Sequence, residues 1–360
     1  MDTYCDYVVS ELSLKRLPQK PLSSIYFGGG TPSLFGTQRI KRILDAIQNQ
    51  GYTFQDDIEI TYEINPGTLT RPDLDLLRSY GVTRYSVGVQ TFDSEILRKI
   101  GREHNAEQSR ETLKLLYDTQ TSFTADLILG LPQISSDKFA QDIAELSTYN
   151  PSHISIYLLT VPELHFLNKE APKDDQLEDL ILQAEPLLNQ YGFTRYEISN
   201  YVHKTGQPSK HNLLYWNDFS YWGVGLGAHS YFKEYGRWGT RFWNPRSYKS
   251  YFSQIDARLK TQSLPPAPQI EALQLHESMT DFSFTHLRQS AGIPRDRLES
   301  KFPAPCVQFL IDKLQKLQKE GYIFYETDCW KLTAYGKQFA DRAFRELCFT
   351  KDEIKNLTRE

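Results

Sequence analysis

The apolar positions of this chain switch repeatedly between two periods. Over residues 2–17 they recur every three or four places, with Cys5, Val8, Val9 and Leu12 on one face, which predicts an amphipathic helix that Asp2 caps. After Pro18 and Pro21, Ser23 to Phe27 reads as a short strand that runs into Gly28, Gly29, Gly30 and Thr31, and helical spacing returns over 37–49. The alternation then repeats. Strands are predicted at 58–64, 84–89, 125–129 and 153–159, and helices at 71–80, 93–100, 105–119 and 136–148. Five strand–helix steps of about 30 residues predict an α/β fold with a parallel sheet covered by helices. The strands are apolar with few breaks, while polar residues and glycines collect at their C-terminal ends. That edge carries the site in such architectures.

Beyond it, a helix is expected over 173–190 and a strand over 194–198. The stretch 200–250 breaks the pattern: it is rich in Gly, Asn and aromatics, and it holds Trp216, Trp222, Trp238 and Trp243. Periodicity resumes after Pro268, where 271–345 reads as a small α+β unit with a helix at 306–320 and strands at 321–325 and 330–333.

Composition narrows the function classes. A net charge of −4 offers no basic field for nucleic acid. No apolar run reaches the roughly 18 residues of a membrane helix, so no transmembrane segment is expected, while transient association with a membrane is compatible with the sequence. The N-terminus does not read as a secretory signal, and Cys5, Cys306, Cys329 and Cys348 form no disulfide framework; a cytoplasmic location is expected.

Several residues carry candidate chemistry. Gly28 to Thr31 expose bare N–H groups between a strand and a helix, a place where a ligand can approach the backbone, although for a lone glycine triplet a tight βα turn is the usual explanation. Glu63, Gln90, Arg102 and Asp126 fall at or just past successive strand ends, and Asp126 interrupts the apolar run Ala125 to Leu129, where an unpaired carboxylate is costly. Each alone reads as structural; together they read as one ligand site. His211, Asn212, Tyr215 and Trp216 open the aromatic stretch. Imidazole is a haem axial ligand and flat aromatic faces suit a macrocycle, while a histidine that merely orders its loop is the plainer alternative. His229 raises the same question.

Taken together, the stretches IYFGGGTPSLF, YEINPGTLT, YSVGVQTFD, GREH, DLILGLPQ, YEISNY, SKHNLLYW, GVGLGAHSY and LTAYGKQFADRAF resemble, in order over residues 23–345, the radical S-adenosylmethionine (SAM) enzymes of the oxygen-independent coproporphyrinogen III oxidase type. Within them the HNxxYW element at 211–216 is similar to the haem-chaperone branch. The resemblance implies a partial (β/α) barrel followed by a small winged-helix-like domain. It implies SAM held by Gly29, Gly30, Thr31, Glu63, Gln90, Arg102 and Asp126, and haem met by His211, Asn212, Tyr215 and Trp216. Expected domains are a barrel at 1–200, an aromatic haem region at 201–265 and a C-terminal domain at 266–360.

One departure matters. The family holds a [4Fe–4S] cluster on a CxxxCxxC loop after its first strand, and this sequence has no such triplet. Tyr4, Cys5, Asp6 and Tyr7 mimic the end of that motif, but Cys5 falls on an apolar helix face and reads as packed. The chain is therefore expected to start after the first barrel strand and to provide no metal ligands and no catalytic residue of its own. Ser209 and Lys210 stand before His211, where the family often has a Cys, which excludes a thioether link to haem there. The expected function is a haem chaperone that passes haem to an acceptor protein. The alternatives are decarboxylation of coproporphyrinogen III by a SAM-derived radical, and a cluster-less remnant that keeps the fold alone.

Overall fold

The computed structural model describes residues 1–14, 20–161, 166–170, 172–261 and 269–358. In chain order the elements are α1 (Asp2–Leu12), β1 (Leu22–Phe27), α2 (Pro32–Phe35), α3 (Thr37–Asn49), β2 (Phe54–Ile64), α4 (Arg71–Ser79), β3 (Arg84–Gln90), α5 (Ser94–Lys99), α6 (Ala106–Asp118), β4 (Phe123–Leu129), α7 (Ser136–Ser147) and β5 (His153–Leu158). There follow α8 (Asp174–Gln190), β6 (Phe193–Arg195), β7 (Asn200–His203), α9 (Lys210–Trp216), β8 (His229–Phe232), β9 (Thr240–Trp243), α10 (Tyr248–Thr261), β10 (Ile270–Ala272) and α11 (Leu275–Leu287). The C-terminal part adds β11 (Ile293–Pro294), α12 (Arg295–Lys301), α13 (Ala304–Lys319), β12 (Ile323–Glu326), β13 (Cys329–Leu332), α14 (Ala334–Gln338), α15 (Ala340–Glu346) and α16 (Lys351–Thr358). None of the described helices is long and apolar enough to cross a membrane.

The chain forms two compact units. One comprises Leu22–Lys41 and Phe54–His211. Its seven-stranded sheet has the order β1-β2-β3-β4-β5-β7-β6, with β1 to β5 parallel. The α/β expectation holds. Helix starts follow local chemistry. Thr70 and Asp73 form a capping box at α4, Asn105 and Gln108 another at α6, and the side chains of Asp93 and Ser135 cap α5 and α7. The helix-facing residues of the strands are apolar and buried: Ile60, Tyr62 and Ile64; Tyr85, Val87 and Val89; Ala125, Leu127 and Leu129; Ile154 and Ile156. Each fully buried Ile, Val or Leu among them contributes about 1.5–3 kcal/mol on leaving water.

The strand expected at 194–198 is corrected. It stops at Arg195, and β7 follows at Asn200–His203, antiparallel to both β5 and β6. Glu197 dictates the break. Its carboxylate accepts the N–H of Ser199 and the side-chain amide of Asn200, so the backbone turns where an alternating pattern would continue.

The second unit comprises Met1–Pro21, Arg42–Thr53 and Asn212–Glu360, so part of the region expected as one domain at 1–200 packs with C-terminal residues. It contains two three-stranded antiparallel sheets, β10-β9-β8 and β11-β13-β12. The N-terminal helix expected over 2–17 ends at Leu12; residues 15–17 lie outside the described residues. Met1 stands at its N-cap and Asp2 lies in its first turn, with no side-chain cap bond, so the expected Asp2 cap is corrected. Cys5 is fully buried, as expected of a packed helical thiol. The apolar pattern placed Val9 on the inner face, but the buried set is Cys5, Val8, Glu11 and Leu12. Glu11 goes inside because donors await it there: the Gly225 N–H, the Asn244 amide and the Tyr251 hydroxyl, with Arg258 at 3.7 Å. After β13 come three short helices, α14 to α16.

Candidate functional site

The opposite face of the parallel sheet is largely polar. It carries Ser24 and Tyr26 on β1, Glu59, Thr61 and Glu63 on β2, and Arg84 and Ser86 on β3. Thr124 and Asp126 on β4 and His153, Ser155 and Tyr157 on β5 complete the row. At the C-terminal strand ends this row meets the glycine loop. Gly29 takes φ +82°, and a Cβ added at Gly29 or Gly30 would meet nothing within 4 Å, so a ligand can reach the backbone there. Gly28 is glycine for the opposite reason. A Cβ there would lie 2.4 Å from Tyr26 Cε1 and 2.7 Å from the Glu63 carboxyl.

Glu63 anchors the loop from below. Its Oε2 accepts the Gly29 N–H at 3.2 Å and its Oε1 accepts the Tyr26 hydroxyl at 2.6 Å. Burial beside this carboxylate holds the Tyr26 phenol far above its ordinary range. The Thr31 hydroxyl accepts from the Asn65 side chain, whose Oδ1 accepts from the Arg102 guanidinium at 3.1 Å. Arg102 also reaches Gly88 O, and a Cβ on Gly88 would come within 3.0 Å of both Gln90 Nε2 and Arg102 Nη2. Gln90 itself sits at φ +65°, a left-handed backbone that costs about 1–3 kcal/mol outside glycine. The cost is met by Asp142 on α7, which accepts the Thr91 hydroxyl at 2.6 Å and the Phe92 N–H at 3.3 Å and so pins the turn after β3. The structure thus gathers Gly29, Gly30, Thr31 and Glu63 at one side of the edge and Gln90 and Arg102 next to it.

Asp126 lies deeper. Its Oδ2 accepts the Ser86 hydroxyl at 2.9 Å, while Oδ1 is buried with no partner among the described residues. Burial is the main reason its carboxyl is pushed up to about 6. Hydrogen bonds from Ser155 and Ser86 oppose the shift, and the nearby Glu63 charge adds to it.

His211 enters the same polar row from below. Its Nδ1 is 3.1 Å from Ser24 Oγ, and its ring lies flat on Tyr26, with centroids 4.6 Å apart. Burial pushes the imidazole down to about 4, against the pull of Glu59. Glu59 receives the start of α9, accepting the N–H groups of Lys210 and His211 and the Ser209 hydroxyl, with Arg84 at 3.6 Å as its counter-charge.

The rest of the HNxxYW element belongs to the other unit. Tyr215 stands edge-on to Tyr221 at 4.3 Å. Trp216 carries the Arg288 guanidinium 3.7 Å over its ring and receives Gln289 on its carbonyl. The indole N–H groups of Trp216 and Trp222 are buried without a partner among the described residues. Asn212 lies on the same helix, four residues before Trp216. His229 on β8 is exposed and stacks on Trp243 at 5.9 Å. The sequence reading missed Tyr26, Ser24, Asn65, Glu59 and Asp142. The alternation of β1 carried a signal for Ser24 and Tyr26, since both share a face with Gly28; nothing local marked Asp142, which acts from a helix fifty residues downstream of the turn it holds.

A model of the Radical SAM superfamily matches residues 9–175. The chain is 31% identical over 340 residues to the heme chaperone HemW of Haemophilus influenzae, covering 93% of this chain and 85% of the relative. It is 30% identical to HemW of Escherichia coli, covering 94% and 88%, and 28% identical to HemW of Bacillus subtilis, covering 96% and 90%. The solved structure of the E. coli coproporphyrinogen III oxidase HemN, a radical SAM enzyme, superposes with a TM-score of 0.79 at 20% identity. It covers 96% of this chain and 83% of its own, a likeness of fold. A relative above 30% identity matched over most of its length, together with the superfamily match, settles the lineage: the chain belongs to the HemW family of radical SAM proteins.

Proposed function

We propose that this chain is a haem chaperone that binds haem through the α9 element and the aromatic stretch after it, and delivers it to an acceptor protein. The observation that carries the reading is the pairing, on one short helix, of an imidazole with Tyr215 and Trp216. His211 and Tyr215 share one face of α9, and Asn212 and Trp216 share the next. The relatives' name, heme chaperone, supports it.

SAM fits the strand-end edge as it stands. Open backbone at Gly29 and Gly30, the Thr31 hydroxyl and the Glu63 carboxylate suit an amino-acid moiety, and Gln90, Arg102 and Asp126 suit its polar groups. Bound there, SAM supplies an activated sulfonium. A [4Fe–4S] cluster, which the superfamily pairs with SAM, does not fit the residues present. The cysteines of the sequence lack cluster spacing, and among the described residues no three His, Cys, Asp or Glu side chains gather as a metal site. The HNxxYW element favours the chaperone over the coproporphyrinogen oxidase, whose solved relative shares the fold.

The test is haem titration of the chain and of His211→Ala and His229→Ala. Haem bound through His211 gives a Soret band that shifts in His211→Ala alone. An unshifted band at full occupancy in His211→Ala, with a shift in His229→Ala, moves the ligand to the exposed histidine. A chain that takes up no haem sinks the reading.

A further inference from the structure

We propose that Tyr26 couples the histidine of α9 to the glycine loop at the strand ends, so that haem at His211 and SAM at Gly29 to Thr31 change each other's affinity. The inference rests on the functional reading above and adds a regulatory link to it.

The path is short and each step is a contact. The His211 ring lies on the Tyr26 ring at 4.6 Å and 21°. The Tyr26 hydroxyl donates to Glu63 Oε1 at 2.6 Å, a short charge-assisted bond, and Glu63 Oε2 accepts the Gly29 N–H at 3.2 Å. Tyr26 and Glu63 also pack closely against Gly28, where a Cβ would lie 2.4 Å from Tyr26 Cε1 and 2.7 Å from the Glu63 carboxyl. At the other end the imidazole is fixed by β1 as well, through Ser24, two residues before Tyr26. One strand therefore touches the imidazole twice and braces the loop once.

If His211 served as a haem ligand and its imidazole moved, the Tyr26 ring would lose the stacking contact at 4.6 Å that supports it. The phenol would then shift against Glu63, whose Oε2 accepts the Gly29 N–H. Linkage makes the effect reciprocal: a ligand that seats the glycine loop holds Tyr26 and thereby the imidazole. Tyr26→Phe keeps the ring and the stacking and removes only the bond to Glu63, so it cuts the path while leaving both ends in place.

Two measurements on the full chain decide it. The first needs no haem: hydrogen–deuterium exchange across Gly28–Thr31 in the wild type, Tyr26→Phe, His211→Ala and the double variant. Each single change is expected to speed loop exchange about tenfold, the double no further, with β3 and β4 unchanged. Strictly additive effects, or a loop indifferent to Tyr26→Phe, overturn the proposal, and acceleration throughout the sheet marks Tyr26 as merely structural. The second is calorimetric titration of SAM with and without haem. Haem is expected to change the SAM dissociation constant several-fold in the wild type and not in Tyr26→Phe. An equal factor in both overturns the coupling. A wild type that binds no haem refutes the chaperone reading, while the exchange data still judge Tyr26.

Discussion

Glu11→Gln tests how the N-terminal helix is held. Glu11 and Arg258 are 1% and 2% exposed, and their closest atoms are 3.7 Å apart. The Glu11 carboxylate also takes the Gly225 N–H at 2.9 Å, the Asn244 amide at 2.8 Å and the Tyr251 hydroxyl at 2.8 Å, so one side chain joins α1, α10 and two loops. The Arg258 nitrogens have no hydrogen-bond partner among the described residues, which leaves Glu11 to balance that charge. Glutamine keeps the shape, removes the countercharge and turns an N–H₂ toward a donor. Breaking a buried pair in this way costs about 3–5 kcal/mol, and the two clashing donors put the value in the upper half. For a unit of this size that lowers Tm by about 10 °C. In Glu11→Gln/Arg258→Met the stranded cation is gone, and about 2 kcal/mol should return, a coupling typical of residues in contact. Differential scanning calorimetry of the two singles and the double supplies the cycle. A loss below about 1 kcal/mol for Glu11→Gln, or effects that simply add, would refute the view that α1 is fixed by electrostatics and would leave apolar packing as its anchor.

Two buried groups give opposite slopes of stability with pH. The Asp126 carboxyl rises from its ordinary 3.8 to about 6, so the folded chain binds the extra proton between those values and stability falls as pH rises through them; Asp126→Asn removes that slope in chemical denaturation. His211 falls from 6.5 to about 4, so the unfolded chain binds the extra proton and stability is lost as pH falls through that window; His211→Gln flattens it in the same assay. Gly28→Ala, with its Cβ 2.4 Å from Tyr26, is expected to lower Tm, whereas Gly30→Ala, which meets nothing within 4 Å, keeps Tm and weakens SAM by obstructing the backbone, as calorimetry would show. Iron and sulfide reconstitution of this chain is expected to give no stoichiometric [4Fe–4S] absorbance; about four irons per chain would contradict the cysteine reading.

The local code of this sequence is strong where a residue's fate depends on its neighbours in the chain. The two hydrophobic periods placed the parallel strands and their helices to within a few residues, because a strand covered by helices must be apolar on one face and a capped helix announces its start, as Thr70 and Asn105 do. The strand-end positions of Glu63 and Gln90 were legible for the same reason, whereas Arg102 follows α5 and Asp126 stands in the middle of β4. Tertiary structure decided what depends on partners far along the chain. Glu11 disappears into a core because Asn244, Tyr251 and Arg258 receive it. Gln90 keeps a strained backbone because Asp142 clamps the next residues. His211, read from sequence either as a candidate haem ligand or as a histidine that orders its loop, packs against Ser24, Tyr26 and Glu59, since folding brings β1 and β2 to the start of α9. Period and capping are local properties of a peptide; the partner of a buried charge is not, and only the closed packing of distant segments supplies it.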